Sequence, residues 1–202
     1  MLIEKQDEVR ALKDILDCVF PRPKPDLAER LIVTFGSFRD VLAQSAEALE
    51  YAGATPALAH YLSCLDAFLL SAESPLKKGD KMKSFDDIYP FIRKMGFSTS
   101  EYCLVYFFDN RNIVVDVMLE SSRHKGFVNL NRVFDHAQFM KRKYSYVIIA
   151  HNHPNGIAAP SQEDIDVTRN LKHVLSYRNA ELKDHIISSQ GEYYSFYEQG
   201  IL

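Results

Sequence analysis

His151, His153 and Asp164 stand in one short stretch whose residue types and spacing suit a metal ion. The stretch reads Ala150-His151-Asn152-His153-Pro154-Asn155-Gly156 and runs through Pro160 to Ser161-Gln162-Glu163-Asp164. Residues two apart in an extended strand point to the same face, so the two imidazoles are presented together. Pro154 and Asn155-Gly156 turn the chain away. Ser161 then opens a helix, with Asp164 on its first turn, and the intervening loop is long enough to return the carboxylate over the strand end. Two nitrogens and one oxygen supply three ligands of a tetrahedral zinc and leave the fourth position for water. That is the arrangement of a catalytic zinc, since a structural one is closed by four protein ligands. Bound zinc lowers the pKa of water to about 7.

Such a site needs a base for the water's proton and a donor to steady a tetrahedral intermediate. Ser161 is placed for the second task. Glu101 is the candidate for the first, because it begins a very apolar strand and is not needed there for solubility. Glu120 is the competing carboxylate. Bringing Glu101 to the metal requires the strands beginning at Tyr102 and Tyr144 to lie close together. Each piece has a plainer alternative. Ser161-x-x-Asp164 also fits a helix capping box, and paired histidines also occur as turn residues. The conjunction of all four positions in one strand–loop–helix unit favours the metal. His60, His124, His136 and His173 read as surface or helix residues. His185 precedes a strand and reads as a hydrogen-bonded core histidine or a pocket residue. Cys103 shares the face of Glu101 by the period of two and reads as a buried apolar thiol.

Several elements must position these groups. Residues 8–70 read as short helices, with Leu12, Ile15, Leu16 and Val19 at helical spacing. A break follows at Phe20-Pro21-Arg22-Pro23-Lys24-Pro25, then Leu27, Leu31 and Phe35 resume and Gly36 stops that helix. The polar, lysine-rich stretch 71–84 is the candidate linker. Beyond it, Phe85 to Met95 is predicted helical. Tyr102 to Phe108 and Ile113 to Leu119 form a predicted hairpin around Asp109-Asn110-Arg111-Asn112. A helix over Val133 to Arg142, a strand over Tyr144 to Ala150 and a helix over Ser161 to Tyr177 follow. His185 to Ser188 and Tyr193 to Phe196 flank a Gln190-Gly191 turn. This mixture predicts a three-layer α/β (α+β) domain over 85–202 behind a small all-α domain over 1–70.

Composition sets the remaining bounds. The 202 residues are 47% hydrophobic and 25% charged, as in a soluble globular protein. The N-terminus is acidic and unlike a secretory leader, and no apolar run approaches the roughly 20 residues of a membrane span. Three dispersed cysteines suggest neither a disulfide framework nor a thiolate-bound metal, so a reducing, cytoplasmic setting is expected. A net charge of −3 excludes a global basic field for nucleic acid. Lys77, Lys78, Lys81 and Lys83 cluster, as do Lys141, Arg142 and Lys143. Such clusters could meet phosphates, although their commoner role is a solvated linker or the charged end of a helix.

H-x-H-x(7)-S-x-x-D with an upstream glutamate resembles the motif of the JAMM (MPN) metalloproteins, familiar as deubiquitinating isopeptidases. The match extends through Glu101-Tyr-Cys-Leu-Val-Tyr-Phe-Phe-Asp-Asn-Arg-Asn, Ile148-Ile149-Ala150, Pro160 and Asp184-His185-Ile186-Ile187, and is similar to the bacterial RadC, or JAB-domain, proteins over about residues 85–202. The resemblance implies His151, His153 and Asp164 as zinc ligands, Glu101 as acid/base, Ser161 as intermediate stabiliser, and a cytidine-deaminase-like core with a mixed sheet. Leu27-Ala28-Glu29-Arg30-Leu31 with Phe35-Gly36-Ser37-Phe38 resembles the helical region that precedes this domain in RadC. That region usually ends in a glycine-rich helix–hairpin–helix facing DNA phosphates. Here the corresponding stretch is Tyr51-Ala52-Gly53-Ala54-Thr55-Pro56-Ala57, with one glycine and a proline that has no N–H, so it is a degenerate hairpin. After Leu119, Ser121-Ser122 replaces the family's Gly-Thr.

Two function classes follow. One is a zinc metallohydrolase of peptidase or isopeptidase type, with nuclease chemistry as a variant, in a family associated with DNA repair. The other is a non-catalytic, DNA-associated accessory protein with a structural or vestigial zinc; the presence of Glu101 and Ser161 favours the enzyme. An iron site of the two-histidine, one-carboxylate kind fits less well, since it needs neither residue. The expected partners are a protein or DNA substrate, the latter through the Lys/Arg clusters, and a second copy as a homodimer. No membrane association is expected.

Overall fold

A computed structural model of the chain describes residues 2–19, 25–98, 100–121, 131–154 and 156–202. The break at Phe20 to Lys24, the Ser122 departure, His124 and Asn155 lie outside the described residues. The chain divides into two compact units, Met1–Leu69 and Leu70–Leu202.

The first unit is helical: α1 (Leu2–Val19), α2 (Leu27–Phe35), α3 (Phe38–Leu42), α4 (Ala46–Tyr51) and α5 (Pro56–Glu73), the last continuing into the second unit. Leu12, Leu16, Leu31, Ile32, Leu42, Leu49 and Leu62 meet in its core, each at most 1% exposed. Ser37 and Ser45 cap α3 and α4 by accepting the N–H groups of Asp40 and Ala48. The turn between α4 and α5 spends its donors internally, Gly53 N–H on Glu50 O and Ala54 N–H on Leu49 O. Gly53 holds φ +101, and a Cβ there would meet the Arg30 guanidinium. With Pro56 carrying no N–H, this hairpin offers phosphate few free donors.

The second unit is a five-stranded mixed sheet with helices on both faces. Its elements are a 3-10 turn (Phe85–Asp87), α6 (Tyr89–Met95), β1 (Tyr102–Phe108), β2 (Val114–Ser121), α7 (Asn131–Phe139), β3 (Tyr146–Asn152), α8 (Gln162–Ser176), β4 (Glu181–Ser189) and β5 (Glu192–Ser195). The sheet order is β2-β1-β3-β4-β5, and only β3 and β4 pair in parallel, through the α8 crossover. Every residue of β1 is buried, which explains its unbroken apolar run. Alternate residues serve opposite faces. Cys103, Val105, Phe107, Val147, Ile149 and Leu182 pack with Val133 and Ala137 of α7 and Leu171 and Leu175 of α8. α6 packs on the opposite face, and its following Gly96 comes so close to β4 that a Cβ would lie 3.0 Å from Ser189 N.

The three-layer α/β architecture is as expected, and four local details differ. α7 ends at Phe139, so Lys141, Arg142 and Lys143 follow the helix instead of closing it. β3 begins at Tyr146 and reaches Asn152, which puts His151 inside the strand. β4 begins at Glu181, so His185 lies within a strand and not before one. The stretch read as a linker is no free tether: Ser74 Oγ lies 2.6 Å from Tyr106 Oη, Gly79 N–H donates to Val114 O, and Lys81 bridges to Ile113.

Candidate metal centre

The site forms where the parallel strands end. Cys103 on β1 pairs with His151 on β3, and directly paired residues share a face. Glu101, two residues before Cys103, therefore rises on the face of His151 at the same sheet edge. α8 starts above this edge, so its N-terminal turn overhangs the histidines, as crevices at the carboxyl ends of parallel strands commonly do.

His151 Nε2 lies 2.9 Å from His153 Nε2, 3.0 Å from Asp164 Oδ1, and His153 Nε2 lies 3.3 Å from Asp164 Oδ2. Ligands about 2.0–2.1 Å from a tetrahedral zinc stand about 3.3 Å apart, so the triad has the spacing of a metal site. The donor chemistry fits as well. His153 Nδ1 is 2.8 Å from Ile157 O, and a carbonyl can only accept. The proton therefore sits on Nδ1, and the neutral ring turns the lone pair of Nε2 towards His151 and Asp164. Electron-rich atoms this close repel unless a proton or a metal cation lies among them. Among the described residues, His151, His153 and Asp164 form the one cluster of metal-ligating type.

Asp164 carries two duties. Ser161 caps α8, accepting the Asp164 N–H, while the Asp164 carboxylate accepts the Ser161 N–H at 2.7 Å and its hydroxyl at 2.6 Å. Capping and metal ligation are thus compatible, because the box orients the carboxylate that faces the histidines. Burial alone would raise the Asp164 carboxyl, but the imidazoles of His151 and His153 beside it and the Ser161 hydroxyl together hold it far below the usual range. The Asp164 carboxylate beside it raises His153, whereas burial lowers His151.

The two competing carboxylates differ in their surroundings. Glu101 stands close enough for its charge to raise His153. Glu120, opposite Cys103 on β2, is bound by the Arg132 guanidinium at 2.9 Å. Cys103 is fully buried beneath them, and burial first, then the charges of Glu101, Glu120 and Asp164, push its thiol up.

Two residues here escaped sequence reasoning. Asn152, between the histidines, is fully buried on the other face. Its Oδ1 accepts Tyr102 N–H at 2.7 Å, and its Nδ2 donates to Ser100 O at 2.9 Å and to Ser98 O at 3.3 Å. It thereby holds the backbone on both sides of Glu101. A buried asparagine between two site residues was the available signal. The other is Thr168, 3% exposed on α8, whose Oγ1 lies 2.6 Å from Nδ1 of His185. His185 is buried and its Nε2 lies 2.8 Å from Nδ1 of His151, so it backs the triad rather than lining the opening; burial holds it well below the usual histidine range.

Residues 82–201 match the family described as the RadC-like JAB domain. The UPF0758 protein of Photobacterium profundum is 32% identical over 88% of this chain and 80% of its own length. That of Marinobacter nauticus is 30% identical over 89% of this chain and 82% of its own. A UPF0758 protein of Pelobacter propionicus is 40% identical over 104 residues, 50% of this chain and 44% of that protein.

Proposed function

Because the chain belongs to the RadC-like JAB domain family, we propose that it is a zinc-dependent hydrolase of an amide bond, peptide or isopeptide, with His151, His153 and Asp164 as the zinc ligands. The observation that carries this reading is the convergence of two imidazole nitrogens and a carboxylate within 3.3 Å, beside a second carboxylate, Glu101. When bound, zinc supplies a Lewis acid that makes hydroxide available near neutral pH.

Glu101 accepts the proton of the attacking water as the new C–O bond forms and the carbonyl becomes an oxyanion. It then passes that proton to the amine nitrogen as the oxyanion collapses and the C–N bond breaks. Glu120 is unsuited to that duty because Arg132 holds it as an ion pair. The Ser161 hydroxyl, whose one proton rests on the Asp164 carboxylate, serves the oxyanion by turning that proton from Asp164 towards it. Asn152 keeps Glu101 in place through its backbone. A base and a hydroxyl donor around the triad favour an enzyme over a DNA-associated accessory protein, and the spent donors of the α4–α5 turn weaken the case for phosphate binding there.

Metal content of the purified chain tests this, beside His151→Ala and Glu101→Ala, with all three assayed on peptide, isopeptide-linked and DNA substrates. About one zinc per chain is expected, lost in His151→Ala and kept in Glu101→Ala, with amide hydrolysis absent from both. Zinc with no amide turnover in the wild type would refute the hydrolase and leave the accessory reading.

A further inference from the structure

An unbroken file of hydrogen bonds runs from the backbone of α8 to the face of His151. Thr168 Oγ1 lies 2.5 Å from Asp164 O and 2.6 Å from His185 Nδ1, and His185 Nε2 lies 2.8 Å from His151 Nδ1. The file closes on itself, because His151 Nε2 meets the Asp164 side chain at 3.0 Å. Its two ends therefore belong to one residue.

Proton positions in this file follow from counting. Two oxygens 2.5 Å apart require a proton between them, and a carbonyl has none, so the Thr168 hydroxyl donates to Asp164 O. A hydroxyl has one proton, so towards His185 the same oxygen can only accept. Nδ1 of His185 must then carry the hydrogen, and Nε2 of that neutral, buried ring presents a lone pair. His151 answers with Nδ1–H. Its remaining lone pair is on Nε2, the atom 2.9 Å from His153 Nε2.

We infer that His185 and Thr168 are positioning residues that lock His151 in the tautomer with Nε2 unprotonated, and so set the metal affinity of the triad. This rests on the reading of His151, His153 and Asp164 as metal ligands. His153 reaches the same tautomer by a different route, through the carbonyl of Ile157. A main-chain acceptor does for one ligand what a threonine and a histidine do for the other, because His151 faces a neighbouring strand whose backbone groups are engaged in the β3–β4 ladder. The His185 ring is held for the task by stacking on Phe196 at 5.0 Å with planes 8° apart. Groups that orient a ligating imidazole typically change metal affinity 10- to 100-fold when removed.

The test uses the full chain. Nitrogen-15 spectra of the histidine rings in metal-free wild type report which nitrogen of His151 bears hydrogen, and Nδ1 is expected. Zinc dissociation constants, measured by competition with a chromophoric chelator, are then compared for Thr168→Val, His185→Phe and His185→Gln. The valine keeps the threonine's shape, the phenylalanine keeps the stack on Phe196, and the glutamine restores an acceptor towards His151. Weakening of about 10- to 100-fold is expected for Thr168→Val and His185→Phe, with His185→Gln recovering most of it. Hydrogen on Nε2 of wild-type His151, or wild-type affinity in a folded Thr168→Val, overturns the inference. Neither readout needs turnover. A protein that binds zinc through this file and cleaves nothing refutes the hydrolase and leaves the inference standing, whereas turnover with Nε2 protonated does the reverse.

Discussion

Asn152 and Tyr102 are joined by a 2.7 Å hydrogen bond from the Tyr102 N–H to the Asn152 side chain, so the residue between the two histidines anchors the strand start that carries Glu101. One amide side chain thus couples the β3 end of the site to the β1 end. Asn152→Ala removes the acceptor of the buried Tyr102 N–H and a donor to the half-buried carbonyls of Ser98 and Ser100. A loss of about 1–3 kcal/mol is expected in urea unfolding, together with a fall in turnover at retained zinc content. Unchanged turnover would mean Glu101 is placed by other contacts.

Removing charge from the two glutamates should separate them. Glu101→Gln is expected to keep the zinc and lose at least 100-fold in kcat, the usual contribution of a general base. Glu120→Gln gives up the ion pair with Arg132 and should retain turnover within a few fold. Steady-state kinetics beside metal analysis decides the assignment, and the reverse pattern would move the base to Glu120.

Ser161 joins a structural and a chemical duty. Ser161→Ala removes the acceptor of the Asp164 N–H and the donor to the Asp164 carboxylate. A cost of about 1 kcal/mol in stability follows from the lost cap. If the hydroxyl also serves the oxyanion, kcat falls by roughly 10²–10³ while KM changes little. A stability loss without a kcat effect assigns the residue to capping alone.

Metal removal should register as heat sensitivity. A ligand present at a hundred times its dissociation constant stabilises the folded state by about 2.7 kcal/mol. Stripping zinc with a chelator should lower the melting temperature of the sheet unit by roughly 5–10 °C, an effect absent from His151→Ala. Calorimetry of both proteins, with and without chelator, measures it, and equal shifts would point to metal bound elsewhere.

Much of this site is legible in the chain because its two histidines and its aspartate are close in sequence. His151 and His153 share a face through the period of two, and Ser161 and Asp164 are joined through the first turn of α8, both local rules of backbone geometry. The apolar run of β1, the hairpin to β2 and the alternation of helices and strands likewise follow from short-range patterning. The choice between Glu101 and Glu120 does not, since it turns on Arg132 approaching from α7 after two further elements have packed. Nor do the duties of Asn152, Thr168 and His185. A sequence shows an asparagine between two histidines and a further histidine beside a strand, but not which atoms face which. Those pairings depend on the register of β3 against β1 and β4, and a slip of one residue would turn the strand residues among them, Asn152 and His185, to the other face. Local spacing therefore determined what could bind a metal. Strand pairing across the sheet decided which groups surround it, and how its histidines are held.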